Sequence, residues 1–179
     1  MQHTDLNKML SIQLIDCLPD NNSFRGGYDV LKDEFKHYLA LSQPIHTRNM
    51  LIYLLHDIKN THENKPLIIH LFCHSNEHSI LANENSNEQL LSWEEFVIEI
   101  NQIDKKINNQ LTVIITGCKS YNVVTAKTTV KNFIGYDSDV FSQVAHHINH
   151  MLYVQYVNGR SIEDTASELT KLYSNLVVI

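Results

Sequence analysis

The chain has 179 residues, 43% of them hydrophobic and 19% charged, with a formal net charge of -6. That suits one globular domain with a proper core; the acidic balance argues against nucleic acid as a partner, and no apolar run approaches the ~20 residues of a membrane-spanning helix. Residues 1–10 lack a charged-then-apolar leader, and Cys17, Cys73 and Cys118 are odd in number and widely spaced, so reduced thiols in the cytoplasm are expected rather than a disulfide framework.

Residues 11–18 (SIQLIDCL) read as a first strand, ended by Pro19-Asp20-Asn21-Asn22. Arg25-Gly26-Gly27 makes a turn, and Tyr28, Leu31, Phe35 and Leu39 then fall at helical spacing. Gln43-Pro44 breaks that helix. Thr47 caps the next one, with Met50, Leu51, Leu54, Leu55 and Ile58 as its buried face. Residues 60–64 are a polar loop. Leu67–Ser75 (LIIHLFCHS) is a continuous apolar run, the pattern of a strand buried on both faces of a parallel sheet.

Beyond it, Ser79-Ile80-Leu81-Ala82 and Gln89-Leu90-Leu91 are expected to pair as a small hairpin. Ser92-Trp93-Glu94-Glu95 is a capping box, opening a helix that buries Phe96, Val97, Ile100, Ile103 and Ile107 and stops at Asn108-Asn109. Residues 111–117 (LTVIITG) are a second buried strand, ending at Cys118. Residues 119–129 form a polar loop, a natural place for substrate contacts, and 130–136 another strand. A helix over about 140–157 buries Phe141, Val144, Ala145, Ile148, Met151, Leu152 and Tyr156, and Asn158-Gly159 stops it. Ser161 caps the last helix, with Ile162, Ala166, Leu169, Tyr173 and Leu176 inward. The apolar end, VVI, has no assigned partner. Strands alternating with helices, without repeat or linker, predict a single α/β domain with a mainly parallel sheet.

The chemistry gathers where two of these strands end. In open α/β sheets the ligand crevice lies outside the carboxyl ends of the strands. Were the strands ending at His74 and Cys118 parallel neighbours, their ends would lie about 4.8 Å apart, bringing an imidazole and a thiol within reach. That pair is the minimal kit for a cysteine nucleophile.

The order of these features resembles the caspase-like cysteine peptidases, above all their bacterial and CHAT-domain branch. Those proteins typically read "HxxGHG", then an "isW-eL" helix start, then "saC"; the matching stretches here are HLFCHS, LLSWEEF and ITGCKS. FIGYDSDV is similar to that branch's "viGw" strand. HHINHMLYVQYVNGRSIEDTASEL is similar to its late helix, with Tyr153, Gly159, Ser161 and Ile162 at matching positions. The segment from Arg25 to Val30 (RGGYDV) is similar to the caspase "RxGxDV". The similarity runs from about residue 11 to 176.

The resemblance implies one caspase-like domain over 1–179, three-layered, with helices on both faces of the sheet. It implies a cysteine endopeptidase, with Cys118 as nucleophile, His74 as general base and acid, and an oxyanion hole made by the backbone N–H groups of Cys118 and Ser75. Protein or peptide substrates and a controlling partner protein are implied; no cofactor, metal, nucleic acid or membrane is. Two features pull specificity in opposite directions. Arg25 stands where caspases bind an acidic side chain before the scissile bond, whereas Asp137 and Asp139 lie near where the CHAT branch places an acidic residue for a basic one; the balance leans to basic. Ser75 replaces the family's glycine, and were its backbone in the left-handed region it would be strained. That would favour the alternative, a non-catalytic caspase-like scaffold or regulator.

Plainer readings stand beside these. Cys118 alone reads as a small buried hydrophobe, Cys73 as core and Arg25 as a solvated turn residue. A zinc site among His70, Cys73, His74 and His78 is disfavoured, since His70 and His74 are about 13 Å apart on a strand while zinc–nitrogen bonds are about 2 Å. His146 and His150, at i, i+4, read as solvated histidines sharing a polar face with Tyr153. A ligand-binding domain of flavodoxin type lacks a Gly-rich phosphate loop, the chain having five glycines.

Overall fold

The structure, a computed structural model, describes residues 11–62, 64–82 and 88–179. Residues 1–10, Glu63 and the polar stretch 83–87 lie outside the described residues. In chain order the elements are β1 (Ser11–Cys17), α1 (Arg25–Glu34), β2 (Leu39–Leu41), α2 (Arg48–Thr61), β3 (Leu67–Ser75), β4 (Ser79–Leu81), β5 (Gln89–Ser92), α3 (Trp93–Lys106), β6 (Leu111–Thr116), α4 (Asn122–Thr125), β7 (Asn132–Tyr136), α5 (Ser142–Val157), α6 (Ile162–Leu169) and β8 (Leu176–Val178).

The strands form one mixed, mostly parallel sheet in the order β2-β1-β3-β6-β7-β8. The pairs β1/β2, β1/β3, β3/β6 and β6/β7 are parallel; β8 closes the edge antiparallel to β7. β4 and β5 form the expected hairpin, joined antiparallel to the tip of β3. The two continuous apolar runs sit side by side at the centre, because only interior strands have both faces covered.

Alternation along β3 divides the core. Leu67, Ile69, Leu71 and Cys73 pack in one layer with Leu51, Leu55 and Ile58 of α2 and Phe96, Val97, Ile100 and Ile103 of α3. Ile68 and Phe72 face the other layer, with Tyr28 and Leu31 of α1, Ile148 and Leu152 of α5 and Ile162 and Ala166 of α6. The helix starts behave as the sequence suggests: Thr47, Ser92 and Ser161 each accept a first-turn backbone N–H, and Glu95 completes the capping box. Asn108 and Asn109, at φ 59 and 58, and Gly159, at φ 89, supply the left-handed stops.

Several expectations are corrected. The first helix ends at Glu34, so Leu39 belongs not to its face but to β2. Met50 is exposed; Phe141, at the N-cap of α5, is 80% exposed, and Val144 and Met151 are only partly covered. The last helix ends at Leu169, and Leu176 belongs to β8, which gives the apolar tail its partner. Helix α2 runs on to Thr61, and the loop after Cys118 contains α4.

Tyr153 is the largest correction. It is wholly buried, and its hydroxyl lies 2.8 Å from Nδ1 of His70, itself 0% exposed. Nε2 of His70 lies 2.9 Å from Oγ1 of Thr116, which accepts a hydrogen bond from Nδ2 of Asn149 at 2.8 Å. This polar cluster joins β3, β6 and α5 inside the apolar layer, where each group needs a partner.

Burial pushes the His70 imidazole down to about 3, from an ordinary value of 6.5. Below pH 6.5 the unfolded chain binds a proton that the native state refuses. Stability is therefore full above that pH and falls by about 1.4 kcal/mol per unit on the way down towards the native value. Urea unfolding at pH 6.5 and pH 5 should show a loss of about 2 kcal/mol from this residue, and His70→Gln should flatten the slope while lowering stability at neutral pH. Equal slopes in the two proteins would contradict this.

Candidate active site

His74 and Cys118 both lie at the carboxyl rim of the β3/β6 pair. The last paired residues of β3 and β6 are Phe72 and Thr116. β3 runs on to Ser75, so His74 is on its last stretch, on the Phe72 side of the strand; β6 ends at Thr116, and Cys118 lies two residues on, in the turn past Gly117, against the layer of α1 and α5. Cys118 packs against that layer and is partly exposed, whereas Cys17 and Cys73 are buried. Burial pushes the Cys73 thiol up to about 12 and raises the Cys17 thiol well above its usual value. Of the three cysteines, only Cys118 is accessible.

Ser75 is extended rather than left-handed: it is the last residue of β3, opposite Ile80 of β4, and its φ is not positive. The strain considered for a non-glycine residue there does not arise. Its side chain is 3% exposed, and Oγ donates to the Cys118 carbonyl at 2.6 Å. Gly117 permits this approach, because a Cβ there would stand 2.6 Å from Ser75 Oγ, 2.9 Å from Cys73 Sγ and 3.0 Å from the Cys73 carbonyl. The chain then turns sharply at Lys119, with φ 54.

That turn is tied on three sides. The Lys119 N–H donates to the Ser138 carbonyl at 3.1 Å, and its carbonyl accepts from Asn122 Nδ2 at 2.9 Å. Lys119 Nζ pairs with Glu77 Oε1 of the β3–β4 turn at 3.1 Å, and this bond, helped by Asp139, raises the ammonium pKa.

Arg25 starts α1 and leans back over the tip of β1. Nη1 meets Asp16 Oδ2 at 2.6 Å, and Nη2 donates to the Leu18 carbonyl. Asp16 is 2% exposed, and its Oδ1 accepts the Leu18 N–H. The guanidinium thus already holds an internal carboxylate, beside the β1/β3 boundary where strand order reverses. Asp137 and Asp139 are exposed, in the loop that leaves β7 at the same rim.

His146 and His150 lie on the seam between α5 and α1, where His150 Nε2 is 2.9 Å from Glu34 Oε2. Among the described residues no group of three His, Cys, Asp or Glu side chains is placed to hold a metal ion. Sequence reasoning missed Asp16, the Ser75 hydroxyl and Glu77. Only Asp16 had a visible signal, a carboxylate inside an otherwise apolar strand. No protein-family model and no curated protein matches the chain.

Gly117→Ala should cost about 2 kcal/mol, the scale of overpacking in a close-packed site. Adding Ser75→Gly should recover part of that loss, since the nearest clash is with the Ser75 hydroxyl. Unfolding midpoints of the two variants check this; a Gly117→Ala protein as stable as the parent would contradict it.

Proposed function

We propose that the chain is a cysteine endopeptidase of the caspase-like, CHAT-type kind, using a Cys118–His74 dyad. The observation that supports this reading is the parallel β3/β6 pairing, since both strands end at one rim where Cys118 and His74 are each partly exposed. The mixed, mostly parallel sheet with helices on both faces fits the three-layer caspase-like fold that the reading requires.

A free cysteine has a pKa near 8.5, so only a few per cent is thiolate at neutral pH. His74 takes the Cys118 proton as sulfur attacks the peptide carbonyl, and returns it to the leaving amine as the carbon–nitrogen bond breaks. A water molecule, deprotonated by His74, then attacks the thioester; the acid product leaves and the thiol is restored. The oxyanion is met by the N–H groups of Cys118 and Ser75. Hydrogen-bonded and open pairs alternate in an antiparallel ladder. Asn76 donates to the Ser79 carbonyl, so Ser75 falls in an open pair with Ile80 and its N–H points away from β4.

The side chain before the scissile bond is basic. Arg25 is neutralised by Asp16, whereas Asp137 and Asp139 are exposed on the neighbouring loop. The setting is cytoplasmic, under the control of a partner protein; no helix among the described residues is long and apolar enough to cross a membrane.

Iodoacetamide or a peptide chloromethylketone should label Cys118 far faster than Cys17 or Cys73, and His74→Ala should abolish the difference; equal labelling of all three would overturn the dyad. In peptide libraries carrying Asp, Arg or Lys before the bond, cleavage should follow Arg or Lys. Cleavage only after Asp would overturn the basic preference.

A further inference from the structure

On the opposite side of the rim from Arg25, two cavities of about 380 and 400 Å³ open between α3 and the segment after Cys118. They share Glu94, Thr125 and Ala126, so they form one continuous groove. Its near end lies against the nucleophile turn, because Asn122 lines it and is bonded to the Lys119 carbonyl, and Glu77 lines it and pairs with Lys119 Nζ. Further along, the wall is Val97 and Ile98, and Ile98 is 56% exposed. Ile98 thus offers an apolar contact on the groove wall.

We propose that this groove binds the leaving-group side of an extended peptide substrate and selects a basic residue followed, two positions later, by an apolar one. The inference rests on the reading of the rim as a peptide-cleaving site: a peptide with its acyl side beside Arg25, Asp137 and Asp139 crosses the rim and continues on the α3 layer. Charge sets the first position. No lysine or arginine lines the near end, and Glu94 stands exposed there with no ion pair among the described residues.

Spacing sets the second position. Glu94 and Ile98 are one helical turn apart, about 6 Å along the axis. Side chains two residues apart on an extended chain share a face and are separated by nearly the same length, about 6.6 Å. The basic residue lies nearer Cys118, so the order from N to C is basic, any, apolar. Lys127 at the far end disfavours a second basic residue there.

The test uses the full chain carrying Cys118→Ala, which cannot cleave, and fluorescein-labelled hexapeptides read by polarisation. A peptide with Arg-Gly-Leu at its centre should bind about fivefold tighter than one with Gln-Gly-Leu, Arg-Gly-Gln or the reversed Leu-Gly-Arg. Glu94→Gln should erase the Arg/Gln difference and keep the Leu/Gln difference; Ile98→Ala should do the converse. Both residues are exposed, so neither change threatens the fold. Equal binding of the four peptides, binding too weak to read, or preferences untouched by the two substitutions would overturn the groove assignment. The parent protein separates this from the wider reading. Cleavage with no binding preference leaves the peptidase and removes the groove, whereas a preference without cleavage leaves the groove and removes the peptidase.

Discussion

The parallel pairing of β3 with β6 is the constraint on which everything else depends. Its register runs from Leu67 opposite Leu111 to Phe72 opposite Thr116. Side chains on a strand alternate faces, so a slip of one residue would turn the β6 side chains to the opposite layer relative to β3. Apolar packing resists such a slip, but only in a general way, since both layers are greasy. The cluster of His70, Thr116, Tyr153 and Asn149 resists it specifically. A slipped β6 would leave a wholly buried imidazole without the Thr116 hydroxyl, and unsatisfied buried polar groups cost about 1–3 kcal/mol each. Buried polar groups of this kind select one arrangement among several that apolar packing alone would tolerate. The same cluster that makes the fold sensitive to acid therefore holds the rim in register.

Above that register, the rim is built by close backbone approach rather than by long side chains. Gly117 lets Ser75 reach the Cys118 carbonyl, and the left-handed turn at Lys119 then directs the chain to Ser138 and Glu77. The turn at Lys119 is thereby joined to the hairpin and to the loop leaving β7. Ser75 stands where the resembling family has glycine, and the extended backbone there turns an expected defect into a hydrogen bond. Charge is arranged by layer around this turn. On the α1 side the Arg25 guanidinium is cancelled by Asp16, and on the α3 side Glu94 stands open beside an uncovered isoleucine.

Much of this was legible in the residues, and the failures have physical causes. The limits of β3, the hairpin and the capping box of α3 follow from local patterns that act over a few residues, and they match. Leu39 continues the helical spacing of Tyr28, Leu31 and Phe35, but Tyr38 N–H bonds back to Phe35 and turns the chain, so the spacing outlives the helix. Phe141 sits one residue before α5 with an extended backbone, off the helical stripe that its position suggested. Tyr153 shares a stripe with His146 and His150, which reads as polar; those two lie on the seam with α1, while Tyr153 is wholly buried with its hydroxyl against His70. At the rim, His74 and Cys118 could be found because each ends an apolar run. The bonds from Asp16 to Arg25 and from Ser75 to Cys118 could not, because they depend on turns and strand ends that only the folded chain brings together.

The central claim is a meeting of two side chains, and chemistry can measure it directly. 1,3-Dibromoacetone alkylates an accessible thiol and then bridges it, through three carbons, to a nucleophile close by. Treatment of the parent chain at neutral pH, followed by proteolysis and mass spectrometry, should yield a single cross-linked species joining Cys118 to a ring nitrogen of His74. A Cys118 carrying only the unbridged adduct, or bridged to His78 or another residue, would mean that the thiol and the imidazole do not meet.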